Sequence, residues 1–268
     1  TSFGMRNILM EELSSSNEGV LLVSYTNRAI DEICSKLVEE GLDFLRISSP
    51  NACPPSYQTY LLNERAKRCV SIKEVEELLL NTRIVVGTST SLTNSLQIFS
   101  LRSFGLAIID EASQILEPQL LGLLCACHKG KEAIKRFVMI GDHKQLPAVV
   151  QQEACDSVVK DEGLRSLGLE DCRESLFQRL LRINDNPSLV FHFRHQGRMH
   201  PEVARFANET FYEGILDPVP LPHQKRTLQF EIVDADNPFQ KALSTHRLLF
   251  IPSYQPKERV LPKANLVE

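Results

Sequence analysis

Two short apolar runs end abruptly in polar clusters that carry the makings of phosphate chemistry. Leu106-Ala-Ile-Ile109 runs into Asp110-Glu111-Ala-Ser113, and Phe137-Val-Met-Ile140 runs into Gly141-Asp142-His-Lys-Gln145-Leu-Pro147. A carboxylate at a strand end can hold Mg²⁺ through its water shell, which suits Asp110, and a second beside it can orient or deprotonate an attacking water, which suits Glu111. Acidic residues also favour the first turn of a helix, so the pair alone is a weak signal. The Gly-Asp-x-x-Gln-Leu-Pro loop in the same chain makes it a strong one. Gln145 can donate to a phosphate oxygen and accept from water at once, because a neutral amide does both.

These clusters need a scaffold that delivers them to one place. Short apolar runs with polar ends are how buried strands of a parallel sheet present residues at its edge, and ligands of open α/β sheets bind at the carboxyl ends of the strands. The sequence alternates strand and helix signals in that manner. Strands are predicted at Val20–Ser24, Phe44–Ile47, Arg83–Gly87, Leu106–Ile109, Phe137–Ile140, Leu189–Phe193 and Leu248–Ile251. An insert at about 50–81 breaks the rhythm, with a helix predicted from Ser71 to Leu80, and Glu153–Gly168 reads as a polar loop.

A third block is Phe193-Arg-His-Gln196-Gly197-Arg198-Met-His-Pro201. Together the three blocks resemble the first motor domain of a superfamily 1 helicase, of the branch that includes the nonsense-decay helicases. The resemblance implies a RecA-like P-loop NTPase fold, with a mainly parallel, doubly wound sheet flanked by helices. It implies an ATP-dependent helicase or translocase, with ATP and Mg²⁺ as cofactors and single-stranded DNA or RNA as partner. Gly141, Asp142 and Gln145 would lie against the nucleotide, and Arg198 would reach the γ-phosphate, where a permanently charged planar guanidinium suits the charge of the transferring group. Gly197 departs from the family, which carries Tyr there, so stacking on the base is in question. A second reading is a motor-fold ATPase that binds a protein partner as a signalling or scaffold switch.

A fourth block, Val23-Ser-Tyr-Thr26-Asn27-Arg-Ala-Ile30, is a strand entering a helix. Ile30, Ile33, Cys34, Leu37 and Val38 recur at helical spacing. Thr26 and Asn27 are natural N-caps, and in similar helicases this segment binds the backbone of a single strand; Thr88 and Thr90, after the strand at Arg83–Gly87, read equally as strand-end caps and as nucleic-acid contacts. The chain opens on Thr1, and the sequence contains no Gly-x-x-x-x-Gly-Lys. The family pattern makes Thr1 the P-loop hydroxyl that shares Mg²⁺ with Asp110, with the glycines and Lys immediately upstream. Residues 1–262 would form the first motor domain and 263–268 the start of the second RecA-like domain. Alone, this stretch is expected to hydrolyse ATP negligibly.

Composition is compatible with this. At 268 residues, 43% hydrophobic and 24% charged, the chain is ordinary for a globular protein. Its net charge of −4 gives no signature of nucleic-acid binding. Seven scattered cysteines without zinc spacing suggest reduced thiols in an intracellular, cytoplasmic protein. No apolar run is long enough to suggest a membrane partner.

Overall fold

The structure is a computed structural model that describes residues 2–226 and 237–250. The chain falls into two compact units, residues 1–187 and 188–268. Thr1, Ile251 and residues 263–268 lie outside the described residues.

The first unit is built on a five-stranded sheet of β1 (Val20–Ser24), β2 (Phe44–Ile47), β3 (Ile84–Thr88), β4 (Leu106–Ile109) and, after a hairpin of β5 (Cys127–His128) and β6 (Lys131–Glu132), β7 (Phe137–Met139). The order is β2-β3-β1-β4-β7 and every pairing is parallel. The fold is therefore α/β with a parallel, doubly wound sheet. Every residue of β1 to β4 is buried, which is why these segments read as unbroken apolar runs.

Helices α1 (Ser2–Ser15) and α2 (Asn27–Glu39) cover one face of the sheet, with Met5, Leu9, Ile30 and Ile33 packed on Val20, Leu22 and Ile108. The predicted face of α2 forms except at Val38, which is 43% exposed. On the opposite face, α3 (Leu62–Ala66), α4 (Ile72–Asn81), α5 (Ser89–Thr93), α6 (Gln97–Leu101) and α7 (Glu117–Leu124) follow in chain order. Leu79, Leu92, Phe99 and Leu120 from these helices pack on Leu21, Val23 and Ile109. Ser71 caps α4, its side chain accepting from the Glu74 N–H at 3.3 Å.

The insert is fastened to the edge strand β2. Tyr60 stacks on Phe44 with ring centroids 4.2 Å apart, and Arg65 pairs with Asp43 at 2.6 Å. Arg46, fully buried, donates to Asp31 of α2 at 2.5 Å and to the Ala52 carbonyl at 3.1 Å. A buried guanidinium needs such partners, since an unpaired one costs several kcal/mol. The stretch predicted as a polar loop carries two short helices, α8 (Ala154–Ser157) and α9 (Glu162–Ser166); α10 (Leu176–Ile183) follows, tied to α7 by Arg179 and Glu117 at 2.7 Å.

In the second unit, β8 (His195–Gln196) pairs in parallel with β9 (Asp217–Pro218), and α11 (Pro201–Phe211) and α12 (Pro238–Thr245) are its α-helices among the described residues. Two predicted strands do not form among the described residues. Residues 190–194 are irregular, and Phe191 is 81% exposed; among the described residues no neighbouring strand supplies the ladder that such a run needs. Leu248 to Phe250 are irregular as well. Among the described residues, no helix is long and apolar enough to cross a membrane.

At the amino-terminal rim of the sheet, arginines close helix ends. Arg83 donates to the Leu13 carbonyl at 2.9 Å and also to the carbonyls of Ser16 and Glu18, at the end of α1. Arg102, buried, donates to the carbonyls of Leu79 and Thr82 at the end of α4 and sits 4.6 Å over the Phe104 ring. Cations there satisfy orphan carbonyls and oppose the negative end of the helix dipole. Arg102→Met is expected to lower stability by about 2–3 kcal/mol, because two buried acceptors lose their donor. Denaturant unfolding should show a lower midpoint with an unchanged slope.

Candidate functional site

The carboxyl ends of the strands form the opposite rim, and the polar clusters sit there. The Asp110 N–H donates to the Val23 carbonyl at 2.8 Å, so pairing between β1 and β4 runs one residue past the strand. Glu111 then adopts the left-handed region at φ 54° and ψ 37°. For a non-glycine residue that conformation costs of order 1–3 kcal/mol and is held only where its surroundings over-determine it. The surroundings here are the Ala112 N–H, bound to the Ile140 carbonyl at 2.8 Å, and the Gln114 N–H, bound to the Glu111 carbonyl at 2.9 Å. The Glu111 carboxylate accepts from Gln114 Nε2 at 3.4 Å.

The loop after β7 is stitched to this turn. The Asp142 N–H donates to Ser113 Oγ at 3.2 Å. A Cβ added at Gly141 would stand 2.9 Å from the Ser113 backbone nitrogen, so only glycine fits without moving backbone. Asp142 then organises its own loop: Oδ1 accepts from the Lys144 N–H at 2.9 Å and Oδ2 from Gln145 Nε2 at 3.0 Å. Gln145 is exposed beside that carboxylate.

Along the same rim, Thr26 caps α2 by accepting from the Ala29 N–H at 3.2 Å, and Asn27 stands exposed at the first helical position. Thr88 accepts from the Ser91 N–H at 3.1 Å and donates to Ser91 Oγ at 2.8 Å, capping α5 (Ser89–Thr93). Thr90 is exposed. The structure thus brings Thr26, Asn27, Thr88, Thr90, Asp110, Glu111, Gly141, Asp142 and Gln145 to one rim of one sheet. Thr26 and Thr88 have structural work there as caps, which leaves Asn27 and Thr90 as the outward-facing pair.

Arg198 belongs to the second unit. The Gln196 amide shapes its loop: Oε1 accepts from the N–H groups of Arg198 and Met199 at 3.2 and 2.9 Å, and Nε2 donates to the Met199 carbonyl at 2.9 Å. Gln224 bridges the carbonyls of Gln196 and Met199 at 3.0 Å each. The Arg198 side chain is exposed. A Cβ at Gly197 would meet only the tip of Leu221, at 3.3 Å, so a side chain there is sterically admissible. Ser113, Gln196 and the left-handed turn at Glu111 escaped the sequence reading; the first two left only the faint signal of a small or amide residue inside a motif.

Asp110 is the residue suited to a cation. Its Oδ1 is buried and has no hydrogen-bond partner among the described residues. Burial pushes its carboxyl above the ordinary range; the Glu111 N–H works against that shift and the like charge of Glu32 on α2 adds to it. An acceptor left buried in this way suits a hydrated divalent ion. Among the described residues, no group of three or more His, Cys, Asp or Glu converges as a metal cage. Mg²⁺ often needs none, since it takes one or two carboxylates and completes its shell with water and phosphate oxygens.

Two family models, each described as an AAA domain, match residues 60–153 and 172–260. The first spans Asp110 to Gln145 and the second spans Arg198. The DNA replication ATP-dependent helicase/nuclease DNA2 of Gallus gallus is 35% identical over 212 residues, covering 78% of this chain and 19% of that protein. DNA2 of Mus musculus is 36% identical over 212 residues, covering 78% and 18%. DNA2 of Saccharomyces cerevisiae is 30% identical over 208 residues, covering 78% and 12%. The chain spans about a fifth or less of the length of these relatives.

The raised Asp110 carboxyl sets a stability test. Its ionised form is disfavoured in the fold, so ionisation subtracts stability as pH rises through the raised folded value, and that loss is absent below the unfolded value. Asp110→Asn is expected to raise the Tm at neutral pH, because the amide carries no charge for the fold to disfavour. Calorimetry should find the gain at neutral pH and none in acid.

Proposed function

Starting from its membership of the superfamily 1 helicases, we propose that this chain is part of an ATP-dependent motor that couples Mg-ATP hydrolysis to movement on single-stranded DNA or RNA. The observation that carries this reading is the stitched rim, where the Asp110–Glu111 turn and the Gly141–Gln145 loop are locked together through Ser113. Phosphoryl transfer asks chiefly for positioning and charge stabilisation, and a rigid rim supplies positioning. Asp110 would hold Mg²⁺, together with Thr1. Glu111 would act on the attacking water, and Gln145 would report the γ-phosphate. Mg²⁺ when bound would neutralise charge developing on the phosphates.

Arg198 would be the cationic group that meets the γ-phosphate. The two compact units favour ending the first motor domain near Pro187 rather than at 262, and assigning Arg198 to the opening of the second. The Gln196-Gly-Arg198-Met-His-Pro201 block supports placement in the branch with the nonsense-decay helicases. Asn27 and Thr90 would contact the sugar-phosphate backbone and not base edges, giving binding that tolerates any sequence.

The net charge of −4 is the observation that favours the second reading, a motor-fold switch for a protein partner. Stimulation of ATP hydrolysis by single-stranded DNA or RNA in the full-length protein separates the two. Turnover that rises with either polymer supports the motor; turnover indifferent to both supports the switch. Within the motor reading, Glu111→Gln should cut turnover by at least about 100-fold, the usual contribution of a general base, while Mg-ATP binding persists. Asp110→Asn should instead weaken binding only when Mg²⁺ is present. Equilibrium titrations of both variants, with and without Mg²⁺, check that division.

A further inference from the structure

Ser24 is the last residue of β1, fully buried, and its hydroxyl has no hydrogen-bond partner among the described residues. A buried hydroxyl without a partner costs about 1–3 kcal/mol, and folds seldom keep one without cause. Its place narrows the cause. In the register of β1 and β4, Val23 stands opposite Ile109, and the pairing continues with Ser24 beside Asp110. Side chains alternate along a strand, so Ser24 lies on the face of Leu22, and Asp110 on the face of Ile108. Both belong to the face covered by α1 and α2. Two orphaned polar atoms, Ser24 Oγ and Asp110 Oδ1, therefore stand side by side on adjacent strands at the carboxyl rim, and they do not bond to each other.

We propose that Ser24 is a positioning residue for the divalent cation held by Asp110, its Oγ accepting a hydrogen bond from a water of that ion's shell. This rests on the reading of the rim as a Mg-nucleotide site. Waters bound to a cation are strong donors, so both orphaned oxygens find partners at once when the ion is present. Asp110 supplies the charge, and Ser24 fixes where the shell sits. Thr88, opposite Ser24 on β3, cannot take this part, because its hydroxyl already accepts from the Ser91 N–H and donates to Ser91 Oγ. Groups in this outer position typically change metal affinity by 10–100-fold when removed.

The test is equilibrium binding of a fluorescent ATP analogue to the full-length protein, titrated with Mg²⁺. Ser24→Ala should raise the Mg²⁺ concentration for half-maximal binding about tenfold or more, with binding in EDTA unchanged. Ser24→Thr keeps the hydroxyl and should restore most of the loss. A thermal melt without nucleotide shows that each variant folds, and there Ser24→Ala should melt no lower than the parent. An unchanged Mg²⁺ midpoint in Ser24→Ala overturns the assignment and makes Ser24 a packing residue. Equal loss with and without Mg²⁺ also overturns it, since the residue then serves the nucleotide or the fold. If the parent itself shows no Mg²⁺-dependent nucleotide binding, the reading of the whole rim fails, and this inference with it.

Discussion

Burial of the sheet on both faces is the constraint from which the rest follows. With every residue of β1 to β4 enclosed by helices, the body of the sheet has no room for uncompensated polarity. Polar groups are driven to the two rims, and the rims divide the labour. At the amino-terminal rim, Arg83 and Arg102 spend their donors on helix-end carbonyls, so those charges are consumed by the fold. At the carboxyl rim the strands end in short turns that leave oxygen atoms and amides facing outward. The same burial that makes the sheet stable therefore makes one edge of it available for chemistry.

Arg46 is the exception that shows the rule. It enters the body of the sheet only because Asp31 and the Ala52 carbonyl meet it there. Those partners lie on α2 and on the insert, so one buried guanidinium joins the edge strand, the insert and the helix whose start carries Thr26 and Asn27. Cys34 lies against the same guanidinium, and burial outweighs that positive charge to raise its thiol to about 12.

The carboxyl rim was largely legible in the sequence because burial on both faces leaves a plain mark, an apolar run that stops at Asp110 or Gly141. Helix starts at Thr26 and Thr88 were legible through their capping side chains. What escaped depends on contacts between segments distant in sequence. Nothing local marks Ser113 as the anchor for Asp142, or Arg46 as buried; Leu45-Arg46-Ile47 reads as a strand with one outward charge. Leu189 to Phe193 failed for the converse reason. Its composition is that of a strand, but strand formation requires a neighbour, and composition cannot supply one. The division into units near Pro187 was likewise silent, because the residues on both sides have the same ordinary mixture of polar and apolar types.

Asp110 and Glu111 show how two adjacent carboxylates come to differ. A strand would place them on opposite faces with similar surroundings on an open rim. Asp110 continues the strand, keeps its pairing to Val23, and turns Oδ1 into the buried face, where desolvation raises its carboxyl. Glu111 leaves the strand in the left-handed region, which swings the chain toward Ile140 and puts its carboxylate against Gln114. One residue of strained backbone thus separates the buried Asp110 oxygen from a Glu111 carboxylate that lies against Gln114. Replacing Glu111 by glycine would relax the backbone and remove the second carboxylate together.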